Sequence, residues 1–441
     1  MAGFYKDPKC ERRTIVERKE GLTTKYDRRE FLRQAAVGAS ALGLAGMAGP
    51  LVRVVRAQAR PIPIALVTAL TGPSANWGQR TSQGFQVAVD LINQAGGIRS
   101  KGGAPLELRL YDTQSRPEVA GQQTEKAIAD GAVVIAGTNQ SAATLVATQI
   151  TERRQVPFVT PSDIDPLITG RGFRYTFRTS PVVRNYAYDL INFYKQVGER
   201  TGIMPRTVAI LCENSVVGSS AAQFFEEAAR AAGFQVFAVH TYDATASNIN
   251  FTPYISQYRA AGVDLLVGHN KPADCVLIVR TAKELQYNPM AIGFAVGGAV
   301  EVSFVEALGP DSDYITGTDG FSVHVNVPAV QEANRIYQAR YGVTIDSNSA
   351  QGFTAAAVIA EALENARSLN PRDIRDAMAQ VDMNTGDRYL LHLTGVKFDE
   401  KGDNAKAQSV VWQLKDGVWH PIGPEQYATR QVVWPKPPWN A

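Results

Sequence analysis

The chain has 441 residues, 45% hydrophobic and 20% charged, which is ordinary for a globular protein and long enough for two domains or more. Its net charge of +3 is unevenly spread: the first 59 residues hold 12 Lys and Arg against 6 Asp and Glu, which leaves 33 basic and 36 acidic residues after them. A body of net −3 offers no basic footprint for nucleic acid, and two cysteines after the leader do not make a disulfide scaffold.

The leader comes first. In "DRREFLR" the pair Arg28 and Arg29 stands before Phe31 and Leu32, and a Gly- and Ala-rich apolar stretch follows. Small residues at Ala57 and Ala59 close it in the A-x-A pattern of a cleavage site. The arginine pair resembles a twin-arginine export signal. Gly and Pro in the apolar stretch make it a poor membrane span. Residues 1–59 are therefore expected to be a signal peptide cleaved after Ala59. No cysteine stands near that site, so a lipid anchor is not expected.

Beyond the leader, strand and helix patterns alternate. "PIPIALVTAL" predicts a buried strand. "SQGFQVAVDLINQAGG" places Phe85, Ala88, Val89, Ile92 and Ala95 at helical spacing and stops at Gly96-Gly97. The segments "LELRLYD", "AVVIAG" and "VPFVT" predict strands, separated by helices that open at Pro117 and Ser141. After "RYTFRTSP" the rhythm restarts, with strands "TVAILCE", "FQVFAVHTY", "VDLLVGH" and "AIGFAVGG" between helices. Cys212 closes one strand pattern and Cys275 opens a helix pattern, and two separate buried thiols are expected rather than a bridge. The tail predicts three helices and a hairpin, "SVVWQLKDGVWHPI", turning at Asp416-Gly417. Apolar strands joined by crossover helices mean parallel sheets covered on both faces. The fold class predicted is α/β, with two doubly wound, Rossmann-like lobes joined by a hinge that the chain crosses several times.

Ligands of such sheets sit beyond the C-terminal strand ends. The first end carries "TGPSANW", where Trp77 offers an apolar wall. The third carries "GTNQSAAT", with Gln140 and Ser141 at a helix start. There free N–H groups and the helix dipole favour a carboxylate, although Ser141 could instead cap its own helix. The fourth carries "TPSDID", with Ser162, Asp163 and Ile164. In the second lobe the ends are "CENSVVG", "GHNKPAD" and "FAVGGAVE". His269 and Lys271 either meet an acidic ligand group or, for Lys271, make a solvated loop charge.

"LTGPSANWG", "AVDLINQAGGI", "LYDTQSRPEVA", "FRTSP" and "VKFDEKGD" together resemble the periplasmic solute-binding proteins of branched-chain amino acid importers. The resemblance runs from about Pro61 to the tail. It implies a type I periplasmic-binding-protein-like clamshell with three crossings that closes on one small ligand. It also implies delivery to an ABC-type membrane permease, as a monomer, with no cofactor, metal or catalysis. The lobes would comprise residues 60–181 with about 319–394, and 182–318 with about 395–441. Trp77 and Ser141 match the family's aromatic and its carboxylate-binding serine. Ser162 matches a small residue, but Ile164 stands where a threonine is usual. Val217, before Gly218, replaces a tyrosine, and Ala295 replaces the acid that holds the ligand's ammonium. Glu301 lies too far along to take that place, and Asp163 either substitutes from the other lobe or caps the helix that starts near Pro166. With these departures a small carboxylate without an ammonium, such as an aromatic or other organic acid, or an amide, fits about as well as an amino acid.

Two rival classes remain in view. An enzyme finds no support in GxSxG, GxxxxGK[ST], HExxH or CxxC motifs, and the five histidines have no metal spacing. A receptor's sensor domain would call for a membrane span or effector after the lobes, and none is read after "WPKPPWNA".

Overall fold

A computed structural model describes residues 59–296 and 298–439. Arg28, Arg29 and the rest of the expected leader lie outside the described residues. Ala59, the expected cleavage position, packs on the first core.

The first lobe is a five-stranded, wholly parallel sheet. Its strands are β1 (Ile62–Thr68), β2 (Leu106–Asp112), β3 (Val134–Thr138), β4 (Phe158–Thr160) and β5 (Thr176–Arg178), in the order β2-β1-β3-β4-β5. Helices α1 (Ala75–Gln94), α2 (Pro117–Ala129), α3 (Ser141–Arg154) and the single turn α4 (Leu167–Gly170) follow the first four strands. The near-continuous burial of β1 and β3 is what a sheet covered on both faces requires.

The second lobe opens with α5 (Val183–Thr201). Then come β6 (Thr207–Glu213), α6 (Val216–Ala232), β7 (Gln235–Tyr242), α7 (Thr252–Ala260), β8 (Leu265–Gly268), α8 (Pro272–Glu284), β9 (Ala291–Ala295), α9 (Val302–Leu308) and β10 (Thr316–Asp319). β10 is only four residues long and escapes the periodicity reading. The chain returns to the first lobe for α10 (Pro328–Tyr341), α11 (Ser347–Asn365), α12 (Pro371–Met378) and the two-residue strands β11 (Asp382–Met383) and β12 (Val396–Lys397). It ends in the second lobe with β13 (Val410–Lys415) and β14 (Val418–Gly423), giving a seven-stranded sheet β14-β13-β10-β9-β8-β6-β7. β13 and β14 form the expected hairpin, with Asp416 and Gly417 both at positive φ.

The crossings fall between Phe177 and Val183, between Thr318 and Phe321, and at Val410–Val411. The third corrects the boundary expected at about 394/395. Val396 and Phe398 are buried in the first-lobe core, and Phe398 packs on Phe177 at 5.1 Å between ring centroids. Cys212 and Cys275 are free and belong to core clusters on either side of the second sheet. The chain after β14 straps the second lobe: Trp434 stacks on Tyr194 at 5.7 Å, and Trp439 Nε1 donates to the Tyr287 carbonyl.

Candidate functional site

A cleft of about 560 Å³ opens between strand ends of the two sheets. It is lined by Trp77, Gln140, Ser141, Ser162, Asp163, Ile164, Val217, His269 and Lys271, nine of the ten residues singled out from sequence. Ala295 is the exception. It is fully buried at the end of β9, and only its carbonyl reaches out, to accept a hydrogen bond from His269 Nδ1 at 2.9 Å. The next residue, Val296, lines the cleft instead.

The first-lobe wall is built by side chains that tie loops to strand ends. Asp112 Oδ1 accepts from the N–H groups of Leu70, Thr71 and Gln114, which fixes the "LTGPS" loop. α1 begins at Ala75, so Trp77 sits in its first turn rather than in the loop before it, and 38% of its surface is exposed. Gly78 allows that turn to lie on β1, since a Cβ there would stand 2.1 Å from the Ala69 carbonyl oxygen. Gln140 is the N-cap of α3 and Ser141 its first residue, and no side-chain bond caps this helix. Ser141 thus stands one residue inside the capping position, and with Ala142 it borders the cleft at the start of α3.

Asp163, expected as an acceptor for a ligand amine, is already engaged. Its Oδ2 accepts from Thr138 N, Thr144 Oγ1 and Thr160 Oγ1 at 3.1, 2.6 and 2.7 Å. Burial raises its pKa, opposed by those hydrogen bonds. It organises the loop after β4, and Asp165 caps the turn α4 through Leu167 N. Ile164 packs against the second-lobe core, which gives the missing hydroxyl an apolar purpose.

The second-lobe wall carries what the sequence reading missed. Glu213, the last residue of β6, lines the cleft at 7% exposure. Its Oε1 accepts from Ser215 Oγ at 2.7 Å, and its Oε2 is buried without a partner. Ser215 in turn caps α6 by accepting from Gly218 N at 3.0 Å. Gly218 is required here, because a Cβ would stand 2.7 Å from Glu213 Cγ. Asp319, at the end of β10 and on the second crossing, also lines the cleft. Burial pushes its pKa up to about 7, against bonds from Ser347 Oγ and Gly320 N, while Asp346 and Glu301 add like charge. Glu301, set aside in the sequence as too distant, accepts from Trp77 Nε1 at 3.0 Å and so links the two lobes across the cleft. A carboxylate at the end of the buried run "TVAILCE" was the legible signal for Glu213, whereas Asp319 had none, since β10 is too short to show a period. Lys271 lines the cleft, but its Nζ donates to the Ala244 carbonyl at 3.1 Å. Among the described residues, no three His, Cys, Asp or Glu side chains stand close enough to hold a metal ion.

Two α/β lobes joined by three chain crossings, around one largely apolar cleft with a few polar and charged groups, are the form of a ligand-binding protein. The chain belongs to the periplasmic binding protein family, whose profile matches residues 61–417. It is similar to a Leu/Ile/Val-binding protein homolog of Brucella abortus, 28% identical over 375 residues, covering 83% of this chain and 91% of that protein. Its fold is similar to that of a branched-chain amino acid transporter substrate-binding protein from Streptococcus pneumoniae solved with isoleucine. That likeness has a TM-score of 0.68 at 21% identity and covers 85% of this chain and all of the other. A solute-binding protein from R. palustris solved with benzoate gives a TM-score of 0.66 at 16% identity, covering 82% of this chain and 96% of the other.

Proposed function

We propose that the protein is the extracytoplasmic receptor of an ABC importer and that its cleft takes a small α-amino acid. The ligand's carboxylate meets Ser141 and the open N–H groups at the start of α3, where the helix dipole favours an anion. Its ammonium meets Glu213 from the opposite lobe. The observation that carries this reading is Glu213 Oε2, buried and unpartnered on the cleft wall. A desolvated carboxylate oxygen without a donor is unfavourable by several kcal/mol, roughly, and a ligand ammonium removes that penalty. The Leu/Ile/Val-binding relatives support the amino-acid class. The twin-arginine pair and the small residues at Ala57 and Ala59 support export without a lipid anchor. The partner is a membrane permease, and the receptor acts as a monomer that releases its ligand unchanged.

Binding begins on the first lobe, at Trp77 and Ser141. Closure then brings Glu213 and Val217 onto the ligand, and only contacts that bridge the lobes favour the closed form. The Trp77–Glu301 hydrogen bond is one such bridge.

Calorimetry with L-norleucine, hexanoate, pentylamine and benzoate tests the reading, since the second and third lack the ammonium and the carboxylate of the first. Norleucine should bind at least tenfold more tightly than the other three. Glu213→Gln should weaken norleucine by about 2–3 kcal/mol, the cost of losing a charged hydrogen-bond partner. Hexanoate or benzoate binding more tightly than norleucine would favour the organic-acid reading, which Trp77 and the benzoate-bound neighbour support.

A further inference from the structure

The unmet hydrogen-bonding capacity of the cleft is of one kind. Among the described residues that line it, the buried side-chain atoms without a partner are Gln140 Oε1, Ser162 Oγ, Asp165 Oδ2, Glu213 Oε2, Asn270 Oδ1 and Gln351 Oε1. Five can only accept, and the hydroxyl can do either. No buried side-chain N–H of that lining is left over. One α-ammonium and its three donors do not exhaust this set.

A second part of the lining has the same bias. Asp319 is 8% exposed, and its Oδ1 accepts from Gly320 N at 2.6 Å and Ser347 Oγ at 2.8 Å. Its Oδ2 takes no hydrogen bond from the described residues. Tyr186 and Glu301 line the cleft with Asp319, and the Tyr186 hydroxyl lies beside Gly320, where a Cβ would stand 3.0 Å from it. Trp77 is hydrogen-bonded to Glu301. Two carboxylates and two aromatic rings thus line the same cleft, one carboxylate bonded to one of the rings. Lys271, the one lysine of the lining, is turned to the Ala244 carbonyl. An aliphatic ligand side chain closed into this space would leave both carboxylates desolvated and without a counter-charge. An organic cation would pair with them and lie against an aromatic face.

We propose that Asp319, Glu301, Trp77 and Tyr186 form a second cation subsite, so that the ligand is an α-amino acid whose side chain ends in an ammonium or guanidinium group. This rests on the amino-acid reading, in which Glu213 takes the α-ammonium. It adds a specificity that the main-chain contacts do not provide.

L-lysine and L-norleucine share a backbone and a carbon chain and differ by the terminal ammonium. Calorimetry on the exported protein at pH 8 should give L-lysine or L-arginine at least tenfold tighter binding than L-norleucine. In Asp319→Asn and in Glu301→Gln the ratio of cationic ligand to norleucine should fall at least tenfold. Glu301→Gln reads the same quantity if the crossing does not tolerate Asp319→Asn. Norleucine binding as tightly as lysine and arginine, or a ratio unchanged in the variants, would overturn the subsite and leave the amino-acid receptor standing. No heat with any of the three would overturn both.

Discussion

Arg178→Met should lower the free energy of unfolding by about 2–4 kcal/mol, since it removes the fully buried half of an ion pair whose carboxylate is partly exposed. Arg178 is fully buried, at the end of β5 where the chain leaves the first lobe. Its Nε donates to Asp403 Oδ1 at 2.8 Å, its Nη1 to the Asp163 and Asp165 carbonyls at 3.2 and 2.5 Å, and its Nη2 to Thr169 Oγ1 at 2.6 Å. One guanidinium thus ties the cleft loop 163–165 to the first crossing and to the segment that leads to the third. "FRTSP" and "VKFDEKGD", far apart in sequence, meet at this pair. Methionine fills the space but leaves two carbonyls without this donor and Asp403 with Thr169 Oγ1 in place of a cation. Lysine should recover only part of the loss, because it cannot present donors in a planar fork. Urea denaturation measures the first effect. Norleucine affinity should fall as well, since the loop carrying Ser162 and Asp163 loses its anchor. A loss of less than about 1 kcal/mol would mean that the network is not the anchor described.

Asp319→Asn should do the opposite to the ligand-free protein and stabilise it at pH 8. Asp319 has a folded-state pKa raised to about 7 by burial, against an ordinary value of 3.8. Folding therefore favours its protonated form. Its contribution to stability is fully present below pH 3.8 and is lost as the pH rises through about 7. Asparagine carries no such titration. The variant's advantage should be near zero at pH 4 and reach about 1–3 kcal/mol at pH 8, below the roughly 4 kcal/mol that three pKa units represent. The groups that act on Asp319 are Glu301 from the second lobe, Asp346 and Ser347 at the start of α11, Gly320, and Tyr186 of α5. A cationic ligand group binds the ionised form, so lysine affinity should rise with pH between 6 and 8. Thermal melts of both proteins from pH 4 to 8 check the stability part. A variant equally or less stable at pH 8 would show that the carboxylate is not held at a cost.

Much of the architecture was legible because parallel strands buried on both faces read as unbroken apolar runs, such as "PIALVT" and "TVAILC". The Asp416-Gly417 hairpin was legible for a different reason, a turn that demands positive φ. β10 and β12 were too short to show a period, and the third crossing was therefore set about fifteen residues early. In the cleft, the residues that follow strand ends were found by rule. The carboxylates were not, because their roles depend on partners distant in sequence. Asp163 looked available and is held by three donors, whereas Glu213 looked like a strand terminus and is left with a free oxygen. Glu301 was judged by its distance along the chain from Ala295, but the turn at Gly298–Val300 brings it back to Trp77.

The central claim is that this receptor encloses an intact amino acid, bound through both its carboxylate and its ammonium. Mass spectrometry of the small molecule released on denaturing the exported protein, purified without added ligand, tests this most directly. The account predicts one compound at near-equimolar amount that carries both a carboxylate and a primary amine. A stoichiometric carboxylic acid with no amine would contradict it.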